Sequence, residues 1–107
     1  MSITISDLQS LCISGAIRWT VHAMQRLILR NISQDEVIEA IRSGKIIEQY
    51  PNDYPHPSCL VLGVTIAGKY LHVVCGRGVD EAWIISAYSP NPVEWEADLK
   101  TRKKVSQ

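Results

Sequence analysis

Three ionisable side chains recur at four-residue spacing in the segment TVHAMQRLILRNIS, residues 20–33. They are His22, Arg26 and Arg30. Because side chains three or four residues apart lie on the same face of an α-helix, these three form one stripe. An imidazole beside two guanidinium groups is suited to proton transfer next to a phosphate, since the unperturbed pKa of histidine is about 6.5. The stripe is therefore a candidate site for general acid–base chemistry.

Two other interpretations of the stripe remain open. Charged residues opposite an apolar arc usually form a solvated face, and the arc expected on this helix is Val21, Met24, Leu27 and Ile28. In a structural interpretation, His22 caps a neighbouring carbonyl group. Arg26 then pairs with Asp53 or Glu48 and ties the helix to the rest of the fold.

Further candidates for the same chemistry lie in the second half of the chain. His72 and Tyr88 fall in predicted strands and would act from an open sheet face. The basic run Arg102, Lys103 and Lys104 would contact phosphates. Simpler interpretations are a half-exposed strand histidine, a packed tyrosine with an outward hydroxyl, and a solubilising tail.

Composition limits the class of protein. A chain of 107 residues with 46% hydrophobic and 21% charged residues is expected to form one domain, 1–107, around one core. Eleven acidic and eleven basic residues balance, which argues mildly against a nonspecific nucleic-acid binder. Neither an apolar run of about 20 residues nor a secretion signal is found, so we expect a cytoplasmic protein without membrane contact.

The residues that bind metals are scattered. Cys12, Cys59 and Cys75 show neither Cys-x-x-Cys spacing nor the even count of a disulfide framework. We therefore expect small, reduced core residues at these positions. The three histidines likewise form no cluster, and neither a metal nor a cofactor is predicted.

Capping residues predict the helices. Thr20 is a suitable N-cap for a helix over 21–30, and Asn31 is suited to its end. Ser33 and Glu36 form a capping box for a second helix that ends at Gly44. A short leading helix is expected within residues 1–14.

After Lys45 the apolar pattern becomes that of strands, predicted over 45–50, 58–66, 69–77 and 82–90. If Ala67 and Gly68 form a two-residue hairpin turn, Leu62 opposes Val73 and His72 opposes Gly63. The last residues read as a short helix or a tail. The prediction is an α+β fold in which two N-terminal helices, with the leading helix, pack on one face of a roughly four-stranded antiparallel sheet. The other sheet face would be open.

An ordered series of motifs runs from Thr-x-His-Ala and Arg-x-Ile-Ser to Pro-Ser-Cys-Leu-Val-Leu-Gly, Leu-His-Val-Val and Ile-Ile-Ser-Ala-Tyr-x-Pro. Over about residues 17–102 it resembles the small bacterial family known as domain of unknown function 4258. That family is similar to the RelE/ParE-type toxins, which implies two helices on an antiparallel sheet. The resemblance also implies an antitoxin protein as a possible partner.

Three hypotheses of function follow. In the first, the chain is a RelE-like toxin that cleaves mRNA, at the ribosome or free of it, without a metal. His22 then transfers a proton while Arg26 and Arg30 stabilise phosphate charge, with His72, Tyr88 and Arg102 as secondary candidates. The second is a non-catalytic, ParE-like module that binds a protein target. The third is an interaction domain that forms a homodimer through a sheet edge or an open face.

Overall fold

Three helices and five strands make up residues 2–104, the part of the chain described by the computed structural model. In chain order they are α1 (Ile5–Ile13), β1 (Ile17–Trp19), α2 (Val21–Arg30), α3 (Gln34–Ser43), β2 (Lys45–Tyr50), β3 (Ser58–Val64), β4 (Tyr70–Arg77) and β5 (Ala82–Tyr88). The α+β class is confirmed. No helix in this range is long and apolar enough to cross a membrane.

The predicted caps begin and end α2 and α3. The Thr20 hydroxyl accepts a hydrogen bond from the Ala23 amide at 2.9 Å, and Asn31 ends α2 in a left-handed conformation with φ +55°. Ser33 and Glu36 form both hydrogen bonds of the capping box of α3. Each cap satisfies amide groups that have no partner within the helix, so local sequence is sufficient to place these boundaries.

The sheet has one strand more than predicted. Its order is β1-β5-β4-β3-β2, and neighbouring strands are antiparallel except for β1, which pairs parallel to β5. A purely antiparallel, four-stranded sheet was therefore not the full architecture. Strand β1 has only three residues, which is too short for an apolar alternation to be recognised.

The predicted hairpin register between β3 and β4 was wrong by one residue. The Thr65 and Lys69 backbones are hydrogen-bonded at 2.9 Å around a three-residue loop, 66–68, in which Gly68 has φ +88°. Leu62 therefore lies opposite His72. Because side chains alternate between sheet faces, this shift changes which residues of one strand share a face with those of the other.

The helices pack on one face of the sheet. The core between the layers contains Leu8, Ala23, Leu27, Val37, Ala40, Ile41, Val61, Leu71, Val73 and Ile84. On α2 this corrects the expected apolar arc, because Val21 and Ile28 are 75% and 77% exposed. Cys59 and Cys75 are buried free cysteines opposite each other in β3 and β4, and burial raises the pKa of both thiols.

The opposite sheet face is covered at one end by residues 89–104, which we call the C-terminal strap. The strap is made of turns and of one isolated bridge between Trp95 and Arg102, and contains neither the short helix nor the frayed tail that the sequence suggested. Backbone hydrogen bonds join Glu96 to Thr101 at 2.8 Å and Lys103 to Glu94 at 2.9 Å. Trp95, only 2% exposed, fixes the strap to the sheet.

Candidate functional site

Helix α2 presents two predicted site residues to solvent. His22 and Arg26 are exposed, one helical turn apart, and neither side chain forms a hydrogen bond or ion pair with another residue in 2–104. Asp53 and Glu48, the two carboxylates considered as partners of Arg26, bind other residues. Asp53 accepts a hydrogen bond from the Ser58 hydroxyl at 2.6 Å, and Glu48 binds Arg102. The two α2 side chains are therefore accessible to a ligand.

Arg30, the third member of the stripe, binds the end of β5. Its Nη1 atom donates to the Ala87 carbonyl at 2.9 Å and to the Ser86 hydroxyl at 3.3 Å. Its guanidinium carbon lies 5.9 Å from the centre of the Tyr88 ring. Strand β1 pairs only with residues 82–84, so these contacts occur where β5 has no strand on its outer side. Arg30 thus ties α2 to the sheet.

His72 lies under the strap, on the sheet face opposite the helices. The imidazole is 0% exposed and contacts Trp95 and Tyr88 edge to face, with ring centres 4.5 and 5.4 Å away. Its Nε2 atom lies 2.6 Å from the Leu99 carbonyl oxygen. Since a carbonyl can only accept, Nε2 carries the hydrogen. Nδ1 is then the unprotonated nitrogen, and it has no partner in the described structure.

Arg102 connects the strap to strand β2 through Glu48 and Tyr50. Arg102 donates to both carboxylate oxygens of Glu48, from Nε at 2.8 Å and from Nη2 at 3.0 Å. Its guanidinium also lies 4.6 Å from the centre of the Trp95 ring. The Tyr50 hydroxyl donates to the same carboxylate, while burial and this bond raise the pKa of Tyr50 to about 12. The hydrogen bond from Arg102 lowers the pKa of the Glu48 carboxyl.

The predicted site residues therefore separate into two groups. His72 and Arg102 contact Trp95, Tyr88 contacts His72, and Arg30 joins this group through Tyr88. His22 and Arg26 stand apart on the exposed side of α2, while Lys103 and Lys104 are exposed at the end of the strap. Because His72 has no solvent contact, it cannot reach a large substrate, and its contacts hold the strap in place.

Several residues that contact His72 or Arg102 under the strap were not identified as site residues from the sequence. Alternation along β2 does place Glu48 and Tyr50 on one face, so their proximity could have been recognised. Trp95 and the Leu99 carbonyl gave no comparable signal, because the strap has no periodic pattern. Leu99 has φ +62°, a left-handed conformation, and its carbonyl accepts the hydrogen bond from His72.

We expect stability to fall as the pH is lowered from 7.5 to 5.5. Burial lowers the pKa of His72, only partly offset by the Leu99 carbonyl and by Glu48, while Arg102 lowers it further. The unfolded chain, with a histidine pKa of about 6.5, then binds more protons than the folded chain. The free energy of unfolding must decrease below that pH by at most about 1.4 kcal/mol per pH unit for one group.

Urea unfolding at several pH values measures this slope, with His72→Phe as the comparison. Phenylalanine retains an aromatic ring between Trp95 and Tyr88 but does not titrate. The two proteins differ only at position 72, so the difference between their slopes belongs to His72. Equal slopes in the two proteins would contradict the prediction.

Within residues 2–104 no cluster of three or more histidine, cysteine, aspartate or glutamate side chains is arranged to hold a metal ion.

Comparison with known proteins identifies the family of the chain. Neither the curated proteins nor the solved structures include a significant match to the chain. A family model does match, over residues 19–89, from the last residue of β1 through β5. The chain belongs to the family described as domain of unknown function (DUF4258).

Proposed function

We propose that this chain is a RelE-like toxin of a toxin–antitoxin pair that cleaves mRNA without a metal. The observation that carries the proposal is the pair His22 and Arg26, exposed one turn apart on α2 and without a partner in residues 2–104. Two other arginines are held in ion pairs, Arg77 with Asp7 and Arg102 with Glu48. An imidazole can accept a proton and a neighbouring guanidinium can bind phosphate oxygens, and metal-independent phosphodiester cleavage uses both functions.

The proposed chemistry assigns one role to each side chain. The His22 imidazole takes the proton of a ribose 2′-hydroxyl, and that oxygen attacks the adjacent phosphorus. The bond from phosphorus to the 5′ oxygen breaks, leaving a 2′,3′-cyclic phosphate. The 5′ oxygen takes a proton from water, and the hydroxide formed takes the proton that His22 holds, which restores the imidazole. Arg26 binds the non-bridging oxygens, where negative charge increases in the transition state. Arg30 positions α2 against β5.

Growth after induced expression tests this function. Wild type is expected to arrest growth, and His22→Ala and Arg26→Ala are expected to relieve the arrest at equal soluble protein levels. Cleavage of RNA by the pure protein, alone or with ribosomes, should fall about 100-fold or more for His22→Ala, since a positioned acid or base contributes at least that factor. Sequencing of cut RNA ends would identify the product.

Arg42→Ala is the matched control, because Arg42 is an exposed arginine on α3 with no ion pair in the described structure. It removes the same charge from a different helix and should leave the arrest unchanged. The proposal fails if all three variants inhibit growth as strongly as the wild type, or if the wild type does not inhibit growth.

A second candidate function is a ParE-like module that binds a protein instead of cutting RNA. It is favoured by the apolar side chains that α2 exposes beside its basic ones: Val21, Ile28 and Leu29. In that case Leu29→Asp relieves growth arrest while His22→Ala does not, and a protein partner co-purifies with the wild type. A homodimer is the third outcome, and sedimentation of the pure protein at micromolar concentration would detect it.

A further inference from the structure

The end of the sheet face that the C-terminal strap leaves uncovered contains an apolar groove. Its volume is about 240 Å³, and it is lined by Tyr54, His56, Gly76, Trp83 and Ile85, with Thr20 at one end. Trp83 and Gly76 are paired across β5 and β4 and form the floor. The groove is smaller than the usual pocket for a drug-sized ligand, about 300–1,000 Å³, and suits one flat ring system.

Gly76 and Trp83 give the groove its shape. A Cβ atom at Gly76 would approach the Ile85 side chain to 3.2 Å and the Trp83 Cβ atom to 3.7 Å, so glycine leaves this space free. The Trp83 indole is held by a hydrogen bond from Nε1 to the Glu81 carboxylate at 3.2 Å. Tyr54, on the facing loop, is 91% exposed. An oriented indole and an exposed phenol ring therefore border one small opening.

Arg18 supplies a cation for an anionic group attached to an aromatic ring. Arg18 pairs with Trp83 across β1 and β5 and thus lies on the same sheet face, exposed to solvent. Its guanidinium makes only a long 3.5 Å hydrogen bond, to the Ile17 carbonyl. Two carboxylates lie near the groove without lining it: Glu81 accepts a hydrogen bond from the Trp83 indole, and Asp53 accepts one from the Ser58 hydroxyl.

The groove also lies next to the start of α2. Thr20, which lines the groove, is the N-cap of that helix and is two residues from His22. The first turn of α2 contains no acidic residue. A polyanion passing this helix terminus would therefore meet unopposed positive potential on its way between His22 and the groove.

We infer that the groove binds one base of single-stranded RNA, stacked on Trp83, with the adjoining phosphate on Arg18. Every base has a π-face, so stacking on an aromatic side chain tolerates different sequences. The identification of the ligand as RNA rests on the proposed function, since the groove would hold part of the strand that His22 cuts. The alternative occupant, an apolar side chain of a protein, would not pair with the Arg18 guanidinium.

Binding of a fluorescein-labelled single-stranded oligoribonucleotide, followed by anisotropy, tests the inference. The titrations use the His22→Ala background so that cleavage does not consume the probe. Because stacking contributes about 1–3 kcal/mol per base, Trp83→Ala should weaken binding by about 5- to 150-fold. Trp83→Phe should retain most of the affinity. Tyr70→Ala, which removes an exposed aromatic residue at the other end of the sheet, should leave it unchanged.

A second readout does not depend on catalysis. Titration with a purine nucleoside monophosphate should shift the NMR signal of the Trp83 indole N–H and of the Gly76 amide. Unchanged affinity in Trp83→Ala, or no shift at Trp83, overturns the groove assignment, as does a protein segment that occupies the groove while RNA does not bind. If RNA binds through Trp83 but the wild type cuts none, the groove assignment stands and the proposed function fails. If Trp83→Ala binds and cuts RNA like the wild type, the proposed function stands and the groove assignment fails.

Discussion

Trp95→Ala is expected to reduce the free energy of unfolding by about 3–5 kcal/mol, the usual range for removing a buried tryptophan side chain. Trp95 is 2% exposed, lies 4.5 Å from the His72 ring centre and is covered by the Arg102 guanidinium at 4.6 Å. Its removal leaves a cavity above His72 and deprives the strap of its main apolar contact. The loss is a large fraction of the 5–15 kcal/mol that stabilises a typical domain.

Urea unfolding measures the loss, and hydrogen exchange shows where it occurs. Amides at the ends of the strap's own hydrogen bonds, such as Glu96 and Lys103, should exchange faster while those of β4 keep their relative protection. Trp83→Ala is the matched control, since Trp83 is only half-buried, and it should cost clearly less. If Trp95→Ala does not fold, Trp95→Phe should show an intermediate loss. Equal losses for Trp95→Ala and Trp83→Ala would contradict the assigned role of Trp95.

Gly63→Ala is the second substitution expected to have a large effect, a loss of about 3 kcal/mol. A Cβ atom at this position would lie 1.8 Å from the carbonyl oxygen of Ala40, 2.5 Å from its carbonyl carbon and 2.7 Å from its Cα atom. All three atoms are backbone of α3, so no side chain can rotate away. Helix α3 itself must shift from β3, which disturbs a close-packed core.

Gly76→Ala provides the comparison for this effect. Gly76 is in the adjacent strand β4, and the nearest atom to an added Cβ is the Ile85 Cδ1 at 3.2 Å, the end of a flexible side chain. Both substitutions change a strand glycine in the same way, so their difference isolates the contact with α3. Thermal or urea unfolding should place Gly76→Ala within about 1 kcal/mol of wild type. Comparable stability of the two variants would show that α3 is not packed as closely as described.

The helices show what local sequence can decide. Thr20 and the Ser33–Glu36 pair satisfy amide groups within three residues of themselves, so the start of α2 and of α3 could be predicted. The face that α2 buries could not, because it depends on where β5 lies. Ala23 and Leu27 contact the core, whereas the more apolar Val21 and Ile28 are exposed.

For the candidate site, the spacing of His22 and Arg26 was sufficient to place both on one helical face. Whether a residue is accessible is a different question. His72 and Tyr88 are strand residues that the sequence offered as secondary candidates, and the strap buries the first of them completely. The cover comes from Trp95 and Leu99, more than 20 residues away along the chain.

The amino-acid sequence by itself determined the α+β class, the caps, most strand positions and the basic stripe, because each depends on residues close together in the chain. Only the tertiary structure decided the β3–β4 register, the parallel pairing of β1 and the path of the strap. The register depends on the Gly68 conformation and on the contact of Gly63 with Ala40, and the strap depends on Trp95 against His72. The approach of Gly63 to Ala40 and of Trp95 to His72 joins distant segments, and the free energies of such contacts are absent from any local window of sequence.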